Sequence, residues 1–211
     1  MRSGRTLSLP VLCSLLVLAL LGGCPLQESF DLFDSQTNTG NNIRPSDSTG
    51  GSPSGDAPSG SFGGDSALAV EFPDCREPAQ ADAWREEIMR LVNQARAAAG
   101  LGPVVHNAIL EQQATEYACE MIQYDFFDHV NPVDGSTLGE RATRFGYAFR
   151  VVGENLAAGQ TTPQQAFNDW MASPGHRRNI LDPRFTELGV GVRTGGTYGT
   201  YWVQEFGQPA R

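Results

Sequence analysis

Trp170-Met171-Ala172-Ser173-Pro174-Gly175-His176-Arg177-Arg178-Asn179-Ile180-Leu181 contains a helix end, a backbone break and a histidine in close succession. Upstream, Thr162-Pro163-Gln164-Gln165 supplies an N-cap, a proline at the first helical position and a capping partner. The helix that follows buries Ala166, Phe167, Trp170 and Met171, and Ser173-Pro174-Gly175 is expected to stop it. His176 then falls where a helix gives way to a loop, a position from which folds often project functional side chains. Neighbouring Arg177 and Arg178 point in different directions, so one of the two is expected to face a site. Asn179 is expected to fix the loop through backbone hydrogen bonds. Ser173 lacks the Gly-x-Ser-x-Gly setting of a nucleophile.

Outward from this stretch the periodicity changes from helix to strand. Phe149-Arg150-Val151-Val152 reads as a strand leading into Gly153-Glu154-Asn155, while Glu187–Arg193 and Thr200–Phe206 alternate apolar and polar residues. Thr194-Gly195-Gly196-Thr197 joins the last two as a hairpin. On the N-terminal side, Asp82–Ala99 places Trp84, Ile88, Leu91, Val92 and Ala95 on one helical face. A second helix runs from Asn107, its N-cap, to Gln123. A third, Leu138–Phe145, opens on Thr137-Leu138-Gly139-Glu140, where Glu140 completes a capping-box pattern. Helices before strands, with a terminal antiparallel hairpin, indicate an α+β domain whose sheet is covered by helices on both faces. Trp170 and Trp202 are expected in the core, and His106 as a packed or capping histidine.

The chain has 211 residues, enough for one ordinary domain with appendages, and its 40% hydrophobic content permits a real core. The formal charge of −9 argues against nucleic acid and anionic membrane surfaces as electrostatically recruited partners. Arg2 and Arg5 precede the apolar stretch Leu7–Leu21, which Ser8, Pro10 and Ser14 interrupt. It is too short and broken for a membrane span and reads as a signal segment, residues 1–23. Leu21-Gly22-Gly23-Cys24 is similar to a bacterial lipobox, which implies cleavage before Cys24 and its acylation. Residues 24–66, rich in Ser, Gly, Asn, Asp and Pro, read as a flexible tether that holds the domain away from the membrane. A Gly/Ser-rich linker of about 40 residues has a root-mean-square span of roughly 35 Å. Residues 67–81 form a lead-in and 82–211 the folded domain.

Cysteine usage agrees with export. With Cys13 removed in the signal and Cys24 acylated, Cys75 and Cys119 are left, most simply as one disulfide.

Five local patterns occur in order: Phe126–His129; Gly153-Glu154-Asn155-Leu156-Ala157; Trp170–Leu181; Phe185–Gly191; and Tyr201-Trp202-Val203-Gln204-Glu205-Phe206-Gly207. Together they resemble the bacterial branch of the CAP superfamily, which includes cysteine-rich secretory, antigen-five and pathogenesis-related-one proteins, over about Trp84–Gly207. The resemblance implies a three-layer α-β-α sandwich with an antiparallel central sheet. It also implies a cleft where two histidines and two acids converge, which map onto His129, Glu140, Glu154 and His176. The capping-box pattern gives Glu140 a second assignment.

Two imidazoles with carboxylates can hold a divalent metal, and this donor set suits zinc, with His129 and His176 as ligands. The helical His-Glu-x-x-His spacing of a zinc hydrolase is absent from the sequence. Four polar groups can equally form a hydrogen-bonded network that holds the cleft walls in register. The expectation is an exported protein, lipid-anchored at a bacterial envelope or surface. Its cleft takes a metal or a small-molecule, lipid, glycan or protein ligand rather than running a reaction. The alternatives are a metal-dependent hydrolase of peptide or cell-wall material with Glu154 as base, and an interaction module acting through its outer loops.

Overall fold

The computed structural model describes residues 32–34 and 64–210, with side chains from Leu68 onward. The signal segment, Cys24 and most of the tether lie outside these residues. In chain order the elements are β1 (Leu32–Asp34), α1 (Gly64–Glu71), α2 (Ala81–Ala98), β2 (Val105–His106), α3 (Ala108–Gln123), α4 (Leu138–Arg144), β3 (Phe149–Ala158), α5 (Pro163–Ala172), α6 (Pro174–Ile180), β4 (Glu187–Gly195) and β5 (Gly199–Pro209).

The sheet order is β1-β3-β5-β4-β2. β3, β5 and β4 form the expected antiparallel centre, with Glu154 opposite Glu205 and Val190 opposite Gln204. Within the stretch read as tether, β1 pairs with β3 at residues 151–153. β2 pairs in parallel with β4 and makes the sheet mixed. A parallel pair needs a long crossover, and α3 through α6 lie between these two strands.

α3 covers β4 and β5, and α4 covers β3, while α2 contacts β4 and α5 and α6 contact β3. β5 separates the layers by alternation: Tyr201 and Val203 join the α3 side, and Trp202 and Phe206 the α2 side. The result is the α-β-α sandwich. α3 sits close to β4 because Gly189 and Gly191 carry no side chain. A Cβ at Gly191 would lie 2.4 Å from the Ala114 carbonyl carbon. Opposite, Trp170, Trp202, Phe185 and Phe206 are fully buried, as the sequence led us to expect for both tryptophans. Arg96, also buried, donates to the carbonyls of Ile180, Asp182 and Phe185 at 2.9 Å and fixes the turn after α6.

Cys75 and Cys119 form the disulfide, with Cα atoms 5.2 Å apart. It ties the lead-in to α3, and in the chain-entropy account a loop of this size stabilises by about 4 kcal/mol. The expected caps are present: Asn107 accepts from the Ile109 and Leu110 amides, and Thr162 from the Gln165 amide. Three details differ from the sequence reading. Ser173-Pro174-Gly175 ends α5 but also starts α6, with Ser173 capping and Pro174 in the first turn. β3 continues through Gly153-Glu154-Asn155, because β5 pairs with it residue by residue to Ala158. His106 is exposed and bonded to Glu111 at 2.9 Å, because β2 lies at the sheet edge and leaves its side chain uncovered.

Candidate functional site

Glu154 and Asn155 are neighbours on β3, so their side chains leave opposite faces of the sheet. Glu154 points into the α3–α4 side and is completely buried. Its Oε1 lies 2.6 Å from His129 Nδ1, and its Oε2 accepts from Arg141 at 2.6 Å. A carboxylate at Nδ1 puts the ring proton there, so the neutral imidazole has its lone pair on Nε2. Burial alone would push the Glu154 carboxyl up. The Arg141 charge and the His129 bond outweigh it and hold the group below the usual carboxylate range.

Arg141 organises the surrounding loop. Its second nitrogen donates to the carbonyls of His129 and Ser136, and its guanidinium carbon sits 3.5 Å from the centre of the Tyr117 ring. Tyr117 in turn donates to the Asp128 carbonyl at 2.6 Å. Within the loop, Asn131 accepts from the Val133 amide and donates to Glu120. His129 is therefore held from both sides of its backbone, and it is 4% exposed.

Glu205 adds a second carboxyl. It lies directly across from Glu154 on β5, is equally buried, and accepts from Gln113 at 3.2 Å. Burial, then the charge of Glu154, push its carboxyl well above the usual range.

On the opposite face Asn155 forms a second, uncharged cluster. Its amide nitrogen donates to Gln204 at 2.9 Å and to the His176 carbonyl at 3.1 Å. Asn179 donates to the Glu154 carbonyl and to Asn155, both at 2.9 Å. Asn179 was expected to fix its own loop; it lies instead in α6, and the backbone it holds is that of β3. His176, half-buried in the first turn of α6, is thus fastened to β3 through its backbone.

Of the four residues mapped from sequence, His129 and Glu154 are in direct contact, and His176 is joined to the same strand from the other side. Glu140 stands apart. It is exposed, and its carboxylate accepts from the Thr137 amide while Thr137 caps the Glu140 amide. Arg177 and Arg178 are both exposed. Arg141, Tyr117 and Glu205 complete the charged cluster without having been singled out from sequence. The available signal was Gln204-Glu205 within an otherwise apolar central strand, where polar residues need buried partners.

This donor set does not fit a three-ligand metal centre. Both Glu154 oxygens are already bonded, one of them to a guanidinium. Among the described residues no group of three or more His, Cys, Asp and Glu is placed to hold a metal ion. Two surface hollows, of about 580 and 540 Å³, are lined by other residues, including Met89 and His106 in one and Met171 and Arg177 in the other. No helix among the described residues is long and apolar enough to cross a membrane.

Over 129 residues the chain is 36% identical to the Bacillus subtilis (strain 168) protein YkwD, covering 61% of this chain and 49% of that one. It is 31% identical over 121 residues to the membrane protein YlbC of the same organism, covering 57% and 33%. The chain thus spans about half the first relative and a third of the second. An extracellular protein with an SCP domain from Bacillus anthracis superposes with a TM-score of 0.55 at 31% identity, covering 60% of this chain and 41% of that chain. An outer surface protein from Borrelia burgdorferi has the same fold, with a TM-score of 0.55 at 21% identity over 59% of this chain and 92% of its own. The profile of the CAP family, described as the cysteine-rich secretory protein family, matches residues 89–206. These residues include the sheet centre, both polar clusters and the helices that cover them, and the chain belongs to the CAP family.

Proposed function

We propose that this protein is an exported, lipid-anchored binding module of the bacterial envelope, in which the His129–Glu154–Arg141 cluster braces the wall of a ligand site. The observation that carries this reading is the state of Glu154. It is inaccessible to solvent, and both its oxygens are bonded inside the fold. A general base must reach the proton it removes, directly or through one water. Glu154 in this setting holds His129 and the loop around it in one geometry. Contact with a ligand then falls to His176, half-buried at the start of α6, and to the exposed residues around it. Export and anchoring rest on the signal-like segment and Cys24. They agree with the extracellular and outer-surface character of the proteins that share the fold.

The test uses the full chain expressed in a bacterium, alongside Cys24→Ser, followed by co-sedimentation of the mature protein with peptidoglycan sacculi and with phospholipid vesicles. The expected result is a membrane-bound wild type, a Cys24→Ser variant released from the membrane fraction, and sedimentation weakened about tenfold in His176→Ala, the size of one lost contact. Sedimentation unchanged in a folded His176→Ala would favour binding through the outer loops instead.

A further inference from the structure

We propose that Glu205 is a positioning residue of this network: a carboxylic acid that shares one proton with Glu154 across the β3–β5 pair and so fixes the Glu154 carboxylate between His129 and Arg141. The geometry carries the argument. Glu154 and Glu205 face each other at paired positions on adjacent strands, and both are fully buried, so their carboxyl groups meet out of reach of the solvent. One guanidinium, Arg141, serves the pair, and it bonds Glu154. Gln113 donates to one oxygen of Glu205, and no donor among the described residues reaches the other.

Two ionised carboxylates in this setting would repel at low dielectric with one compensating charge between them. A proton on Glu205 removes the repulsion and supplies the missing donor, because the acid O–H then donates to Glu154 and the two carboxyls are hydrogen-bonded to each other. The Glu154 carboxylate so receives three donors, from His129, Arg141 and Glu205. Its orientation, and with it the ring of His129, is fixed by groups from a loop, a helix and a strand.

The groups facing Glu205 are Glu154 on β3, Gln113 and Tyr117 on α3, and Arg141 on α4, with His129 one bond further through Glu154. Opposite on β4 stands Gly189, which contributes no side chain. Glu205 holds its proton in the fold at a pH where the unfolded chain has lost it. Its contribution to stability is therefore complete below the ordinary carboxylate range and declines as the pH rises toward the folded value.

The test compares the full chain with Glu205→Gln, whose side-chain amide donates to Glu154 as the acid does but has no proton to lose. Infrared spectra at mildly alkaline pH, where accessible carboxyls are ionised, are expected to show the carbonyl band of a protonated acid in the wild type and none in Glu205→Gln. The denaturation midpoint of Glu205→Gln is expected to gain on the wild type steadily from mildly acidic to mildly alkaline pH. Glu205→Leu, which has no proton to lose and cannot donate, is expected to show the same change with pH from a lower midpoint at every pH. A wild type without the acid band overturns the proposal, even if Glu205→Gln fails to fold. A band retained in Glu205→Gln, or a midpoint gap that is flat or shrinks with pH, also overturns it. None of these readouts depends on what the surface binds, so they can fail while the binding reading stands.

Discussion

At the scale of single residues, the decisive contacts are the two 2.6 Å bonds to Glu154. The sequence pointed to His129 and Glu154 because the patterns that hold them, Phe126–His129 and Gly153–Ala157, resemble those of the CAP family. It did not point to Arg141, whose setting, Leu138-Gly139-Glu140-Arg141, reads as the start of an ordinary charged helix. Glu140 and Arg141 are adjacent in sequence and opposite in fate. One is exposed on its own helix cap, and the other is buried over Tyr117. Only the packing of α4 on β3 decides which of the two turns inward. Arg141→Met should leave the buried carboxyl pair without its cation and the His129 loop without its carbonyl partner. The expected loss is about 3–5 kcal/mol in denaturant unfolding, the usual size for breaking a buried ion pair from one side. A loss under about 1 kcal/mol, typical of an exposed pair, would contradict the brace.

At the scale of elements, the caps were legible because their chemistry is local. Asn107, Thr137 and Thr162 each accept the amide hydrogen bonds that their spacing implies. α6 was hidden by the same local chemistry, since Ser173-Pro174 reads equally as the stop of one helix and the start of another. The extent of β3 was hidden for a different reason. Gly153-Glu154-Asn155 has turn composition, and pairing with β5 on one side, with β1 at Gly153 and the Asn179 bond to the Glu154 carbonyl on the other, makes it strand. The capping box of α4 gives a prediction at this scale. Thr137→Ala should cost about 1 kcal/mol in denaturant unfolding by releasing the first turn that carries Arg141. Glu140→Ala should leave ligand sedimentation at the wild-type level, whereas a clear loss would put Glu140 in the site.

For the whole molecule, β3 carries two polar clusters on opposite faces. The charged one joins Glu154 to the His129 loop and α4, and the uncharged one joins Asn155 to α6 and His176. One strand thereby positions both histidine-bearing segments, which links the α-β-α architecture to the site. A sheet covered by helices was readable from the order of helices and strands, and the three layers from the family resemblance. The mixed sheet was not, because β2 is two residues long and gains its parallel partner only after α3 through α6 have been laid down. We propose that the charge of Glu154 is committed to the fold, so that the molecule binds a ligand without hydrolysing it. The most direct measurement incubates the mature chain and Glu154→Gln with peptidoglycan sacculi and with peptides, zinc supplied, and follows the release of soluble fragments. The account predicts no release above the protein-free rate from either chain. Metal-dependent release by the wild type, lost in a folded Glu154→Gln, would contradict it.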